Sequence, residues 1–109
     1  MLTDEYHYKI LKLIEENPEV SQRELAKKLG ISLGKANYCL NALIEKGALK
    51  ASNFRNSKNK KAYMYKLTPH GIEEKAAVTI RFLKRKMQEY QVIKTELEQL
   101  RSDIKNEVN

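Results

Sequence analysis

The sequence predicts a mainly α-helical chain with one small β-hairpin and a long C-terminal helix. Three short amphipathic segments, each opened by a capping residue, fill the first half. A basic, strand-like stretch follows, and an unbroken run with apolar residues at alternating four- and three-residue steps completes the chain. At 109 residues there is room for one compact core. The pattern divides into residues 1–68, which carry the core, and residues 69–109, which form the long helix.

Composition narrows the function. Hydrophobic residues at 41% suffice for a core, while 32% charged residues and a net charge of +7 suit a soluble chain drawn to a polyanion, of which nucleic acid is the commonest. No apolar run reaches the roughly 18 residues needed to span a bilayer, and residues 1–5 lack the basic and apolar regions of a signal peptide. No membrane partner and a cytoplasmic location are expected. The single Cys39 has no disulfide partner and falls in an apolar helical stretch, where a small buried hydrophobe is favoured over a redox sensor. Cys39, His7 and His70 are too far apart in sequence for a local metal motif, so neither metal nor cofactor is expected. His7 and His70 read as ordinary helix-start residues. No paired carboxylates, nucleophile–base set or phosphate-binding glycine loop is present, which argues against an enzyme.

The first helix starts at Thr3, whose hydroxyl can cap free amides, with Asp4 and Glu5 in the first turn where the helix dipole favours them. Tyr6, Ile10, Leu13 and Ile14 form its apolar stripe, and Pro18 stops it. Ser21 and Glu24 then form a capping box for a short helix with Leu25, Ala26 and Leu29 inward, closed by Gly30. Ile31 and Ser32 restart the chain after a turn of helix-turn-helix length.

The third helix runs from Ser32 to about Lys46 with Ala36, Leu40, Leu43 and Ile44 inward. Its opposite face carries Leu33, Gly34, Lys35, Asn37, Tyr38 and Asn41, with no acid among them. An asparagine amide can pair with adenine in the major groove, lysine with guanine or phosphate, and leucine with a thymine methyl. Gly34 costs about 1 kcal/mol in a helix unless another backbone approaches closely. A merely solvated face would carry more glutamate. Ser21, Gln22 and Arg23 at the start of the second helix, and Ser32 at the start of the third, join the expected DNA-binding set.

Leu49 to Phe54 and Lys61 to Leu67 read as strands around the turn-forming, cationic run Arg55-Asn56-Ser57-Lys58-Asn59-Lys60. No acid occurs from Lys46 through Ile72, whereas Lys46, Lys50, Arg55, Lys58, Lys60, Lys61 and Lys66 are all basic. Arg55, Lys58, Lys60 and Lys61 are expected to lie on the phosphate backbone or in the minor groove, where each neutralised phosphate releases counterions. Lysines that protect an exposed strand edge are the plainer alternative. Helix, helix-turn-helix and basic hairpin in this order predict a winged helix-turn-helix.

Thr68-Pro69 opens the last helix. Ile72, Ala76, Thr79, Leu83, Lys86, Tyr90, Ile93, Leu97, Leu100 and Ile104 keep the spacing of a coiled-coil seam. A helix from Pro69 to about Asn106 would be about 55 Å long at 1.5 Å per residue, more than a small domain can cover. The simplest partner is a second copy, with Leu83, Tyr90, Ile93, Leu97, Leu100 and Ile104 as dimerisation residues and Thr79 and Lys86 setting register. Folding back onto the chain's own domain suits Ile72 to Leu83 but not Ile93 to Ile104. Arg81, Lys84, Arg85 and Lys86 either extend the phosphate-facing surface or solvate the helix.

Ser21-Gln22-Arg23-Glu24-Leu25-Ala26, Leu29-Gly30-Ile31-Ser32, Leu43-Ile44-Glu45-Lys46-Gly47 and Tyr65-Lys66-Leu67-Thr68-Pro69-His70-Gly71 together resemble the MarR-type winged helix-turn-helix transcriptional regulators. Ser32-Leu33-Gly34-Lys35, Asn37-Tyr38-Cys39-Leu40 and Asn56-Ser57-Lys58-Asn59-Lys60 are most similar to the short MarR-like regulators associated with bacterial exopolysaccharide gene clusters. The resemblance implies a bacterial dimeric regulator with the third helix in the major groove and the wing at the flanking minor groove. The chain departs from the larger family in having one long C-terminal helix and a shorter wing, so that family's effector pocket is not implied and the effector stays open.

The expected function is sequence-specific binding of double-stranded DNA by a homodimer. Two alternatives remain at this level: a protein-interaction module that uses the long helix, and a non-specific architectural nucleic-acid binder.

Overall fold

The computed structural model describes residues 2–55 and 61–108, and of residues 53–55, 61 and 62 the backbone only. Its elements are α1 (Asp4–Glu16), α2 (Gln22–Leu29), α3 (Leu33–Glu45), β1 (Leu49–Arg55), β2 (Lys61–Leu67) and α4 (Pro69–Val108). Each early helix begins where a hydroxyl takes up a free amide. Thr3 accepts from the Tyr6 N–H at 3.2 Å, Ser21 from Glu24 at 3.1 Å and Ser32 from Lys35 at 3.1 Å. The Glu24 carboxylate accepts in turn from the Ser21 hydroxyl at 3.3 Å. Gly30 ends α2 in the left-handed conformation, φ 67°, which a side chain would strain.

One core unites these elements. Ile10, Leu11 and Ile14 of α1 meet Leu25 and Ala26 of α2, Ala36, Cys39, Leu40 and Leu43 of α3, and Val20, Ala48, Leu49 and Tyr65 from the connections and hairpin. The buried face of α1 is His7, Ile10, Leu11 and Ile14, turned from the expected stripe, while Tyr6 and Leu13 are half-buried at its edge. The cause is tertiary: α1 is covered on one side by α2 and β2 and on another by α4. His7 is therefore a buried residue of the α1–α4 joint, not an ordinary helix-start residue.

The strands pair antiparallel in the register Leu49↔Leu67 to Arg55↔Lys61. A further bond from the Tyr65 N–H to the Pro18 carbonyl, 2.9 Å, ties β2 to the α1–α2 connection.

The root of α4 is joined closely to the end of α3. The Thr68 N–H donates to the Ala48 carbonyl at 3.1 Å, and the Thr68 hydroxyl bonds the Gly47 carbonyl while capping the Gly71 N–H at 3.0 Å. A Cβ on Gly71 would stand 2.0 Å from the Ala48 carbonyl oxygen, so only glycine allows this approach. Further along, Val78 is fully buried and Phe82 stacks on Tyr8 with ring centroids 5.5 Å apart. Lys75 reaches Glu15 at 2.7 Å, and Arg81 forks onto both carboxylate oxygens of Asp4 at 3.1 and 3.2 Å. That fork holds the Asp4 carboxyl below its usual range. His7 Nε2 and Glu74 Oε2, 3.9 Å apart, have no hydrogen-bond partner among the described residues.

Beyond Phe82 every described residue of α4 is exposed, and the helix gives the molecule its 71 Å length. Two expected seam positions also make contacts within the helix. The Thr79 hydroxyl donates to the Lys75 carbonyl, and Lys86 pairs with Glu89 at 3.1 Å while lying 5.3 Å over the Phe82 ring. Ile80 and Met87, not expected there, widen the exposed apolar stripe. No helix among the described residues is long and apolar enough to cross a membrane.

Candidate nucleic-acid interface

The outward face of α3 is open. Leu33 is 40% and Tyr38 56% exposed, Asn37 and Asn41 are exposed, and a Cβ on Gly34 would meet nothing within 4 Å. Between Glu24 and Glu45 no acidic residue interrupts this region, so anionic phosphates meet no fixed negative charge within it. Ser21, Arg23 and Ser32 are exposed beside it, and Gln22 is half-buried.

Lys35 behaves differently from its neighbours. Its ammonium lies 4.5 Å over the Tyr6 ring and its side chain is half-buried, because Tyr6 at the edge of α1 offers a π face within reach. In the free protein Lys35 is thus turned toward α1.

A row of side-chain hydrogen bonds crosses three elements. Asn41 Nδ2 donates to Asn37 Oδ1 at 3.0 Å, Asn37 Nδ2 to Gln22 Oε1 at 3.2 Å, and Gln22 Nε2 to Tyr65 Oη at 3.4 Å. Sequence reasoning placed Asn37, Asn41 and Gln22 in the site but missed Tyr65. The available signal was a tyrosine on the apolar phase of a strand, since a buried phenol seeks a partner for its hydroxyl.

The hairpin brings Arg55 and Lys61 opposite each other in backbone register. The wing-tip residues Lys58 and Lys60 lie outside the described residues. Of the basic cluster on α4, Arg81 and Lys86 are engaged within the chain by Asp4 and Glu89. Cys39 is fully buried in α3, and burial pushes its thiol up, which keeps it protonated and weakly nucleophilic. Among the described residues no group of His, Cys, Asp and Glu side chains is arranged to hold a metal ion. The expected dimerisation residues Leu83, Tyr90, Ile93, Leu97, Leu100 and Ile104 are all exposed along α4.

Comparison with known proteins agrees with this geometry. Residues 3–50 match the family described as winged helix-turn-helix DNA-binding. No curated protein matches the sequence. Among solved structures, a PadR-like transcriptional regulator from Bacillus cereus is similar at 19% identity over 80% of this chain and 89% of that one, with a TM-score of 0.70. The PcaV transcriptional regulator of Streptomyces coelicolor, in complex with its natural ligand, aligns at 16% identity over 89% and 72%, TM-score 0.61. MarR of Staphylococcus aureus, in complex with salicylate and kanamycin, aligns at 27% identity over 81% and 56%, TM-score 0.53. The fold is a winged helix-turn-helix, and the structures it is similar to include a PadR-like transcriptional regulator, a MarR and the PcaV transcriptional regulator.

Proposed function

We propose that the protein is a transcriptional regulator that binds double-stranded DNA sequence-specifically as a homodimer, with α3 in the major groove and the basic hairpin on the adjacent backbone or minor groove. The observation that carries this reading is the open, acid-free face of α3, which presents Leu33, Asn37, Tyr38 and Asn41 to solvent beside the start of α2. Amides and small apolar groups in that setting suit base edges, and the cations of residues 46–66 suit phosphates. The uncovered apolar stripe of α4 supports pairing with a second copy, which sets two reading helices on successive major grooves about 34 to 36 Å apart. The resemblance of residues 32–40 and 56–60 to regulators associated with exopolysaccharide gene clusters extends the proposal to genes of that kind in a bacterial cytoplasm.

Fluorescence anisotropy against the duplex upstream of its own gene and a scrambled duplex, at several salt concentrations, tests the reading. Preference for the first by about a thousandfold, persisting as salt rises, is the expected result. Asn37→Ala removes preference among sequences, whereas Lys60→Ala weakens binding to all duplexes and flattens the salt dependence. Equal binding to both duplexes, fading steeply with salt, would reduce the protein to a non-specific binder.

A further inference from the structure

The row of hydrogen bonds from Asn41 to Tyr65 has a consequence for base reading, and it rests on the DNA-binding function proposed above. We propose that Tyr65 is a positioning residue for specificity: its hydroxyl anchors Gln22, and through Gln22 it holds the Asn37 amide in place for a single base pair in each half-site.

Tyr65 is suited to this because it cannot move. Its side chain is 3% exposed within the core, and its backbone N–H is bound to Pro18. Phenylalanine would fill the same volume, and the hydroxyl adds the link to Gln22. Glutamine is otherwise a poor positioning element, since ordering its side chain costs roughly 1.5 to 2 kcal/mol of rotamer entropy. Here both ends of its amide are bonded, Nε2 to Tyr65 and Oε1 to Asn37. Asn37 in turn donates one hydrogen to Gln22 and accepts one from Asn41. It keeps one N–H and one oxygen lone pair free, the donor and acceptor that the N7 and N6 amino group of adenine call for. An amide that flipped alone would set donor against donor or acceptor against acceptor at its neighbours, so the three amides turn together or not at all, and the phenol, which can accept or donate, stays bonded to Gln22 either way. The row therefore behaves as one unit fixed at its buried end. The open space over Gly34, one turn before Asn37, leaves room for a base edge to approach.

The test starts from a duplex enriched by the wild-type protein from a random-sequence pool, together with its single-base-pair variants. Anisotropy titrations then compare wild type, Tyr65→Phe, Gln22→Met, the double variant and Asn37→Ala. Tyr65→Phe should lower discrimination by about twofold to tenfold at the base pair whose discrimination Asn37→Ala abolishes. Affinity for a scrambled duplex should stay unchanged, and Tyr65→Phe should add nothing in the Gln22→Met background. In the DNA-free protein, the side-chain NH2 resonances of Gln22 and Asn37 should lose their dispersion in Tyr65→Phe. Unchanged discrimination, additive losses in the double variant, or unmoved amide resonances would overturn the inference. Should Tyr65→Phe fail to fold, Gln22→Met must reproduce the loss at the same base pair, and full discrimination there refutes the proposal. Failure of the wild-type protein to enrich any sequence is a separate result, visible before any variant is made, and it removes the DNA-reading function along with this inference.

Discussion

The root of α4 and its distal half are built from similar residues and lie in opposite surroundings. At the root Gly71 and Val78 are buried, Phe82 stacks on Tyr8, and Lys75 and Arg81 are paired with α1. In the distal half Tyr90, Ile93, Leu97, Leu100 and Ile104 are each about half or more exposed, and no described residue of the helix beyond Phe82 is buried. Heptad spacing alone does not distinguish the two, because it runs through both. The domain-facing side of the root lies beside the apolar stripe and not on it, which leaves the stripe continuous from Ile72 to Ile104. One helix thus has a side packed on its own domain and an apolar side left open, the side that the proposed dimer would cover.

The largest expected effect falls on the distal side. Replacing Leu97 and Leu100 together by glutamate should weaken self-association by about a hundredfold or more, since burial of each leucine is worth roughly 1.5 to 3 kcal/mol. Sedimentation equilibrium reads this directly, and a double variant that stays fully dimeric would place the dimer contact elsewhere. Gly71→Ala acts on the root. Its Cβ must displace the Ala48 carbonyl, so a loss of about 1 to 3 kcal/mol is expected. Thermal unfolding should show a midpoint lower by several degrees with the association constant unchanged, and a wild-type midpoint would show that the root tolerates a looser fit.

The smallest effect concerns pH. Burial holds the His7 imidazole below its ordinary range, opposed in part by Glu74, with Lys46 and Arg81 adding to the depression and Asp4 opposing it. The unfolded chain therefore binds the proton more readily, so stability is full above the ordinary histidine range and declines as pH falls through it. His7→Gln should flatten that decline in denaturant titrations between about pH 7.5 and about pH 5.5. Asp4 and Glu5, whose carboxyls are held low by Arg81 and Lys9, lose their contribution only at more acid pH. An identical slope in His7→Gln and wild type would exclude His7 as the source.

Local signals were legible and tertiary ones were not. Thr3, Ser21, Ser32 and Gly30 act over three or four residues, and each stands where its chemistry predicts. The outward phase of α3 follows from its period, so Leu33, Asn37, Tyr38 and Asn41 could be placed on one face. The burial of His7 and Leu11 required knowing that α1 is covered from two directions. The turn of Lys35 onto Tyr6, and the link from Tyr65 to Gln22 across 43 positions, depend on which elements meet. Thr79 and Lys86 fit the heptad by spacing, and their contacts with Lys75, Phe82 and Glu89 add to that what spacing alone does not give.

The joint at Thr68, Gly71 and Ala48 makes α4 a lever whose fulcrum lies against the end of α3. A tilt of about 5° at that fulcrum moves the far end of a helix about 60 Å long by about 5 Å. In the proposed dimer the same tilt displaces one α3 relative to the other by a comparable distance, against a base-pair rise of about 3.4 Å. The stiffness of the whole root, from the glycine-to-carbonyl contact to the Arg81–Asp4 fork and the Phe82–Tyr8 stack, would then determine how far apart two half-sites can stand and still be read together.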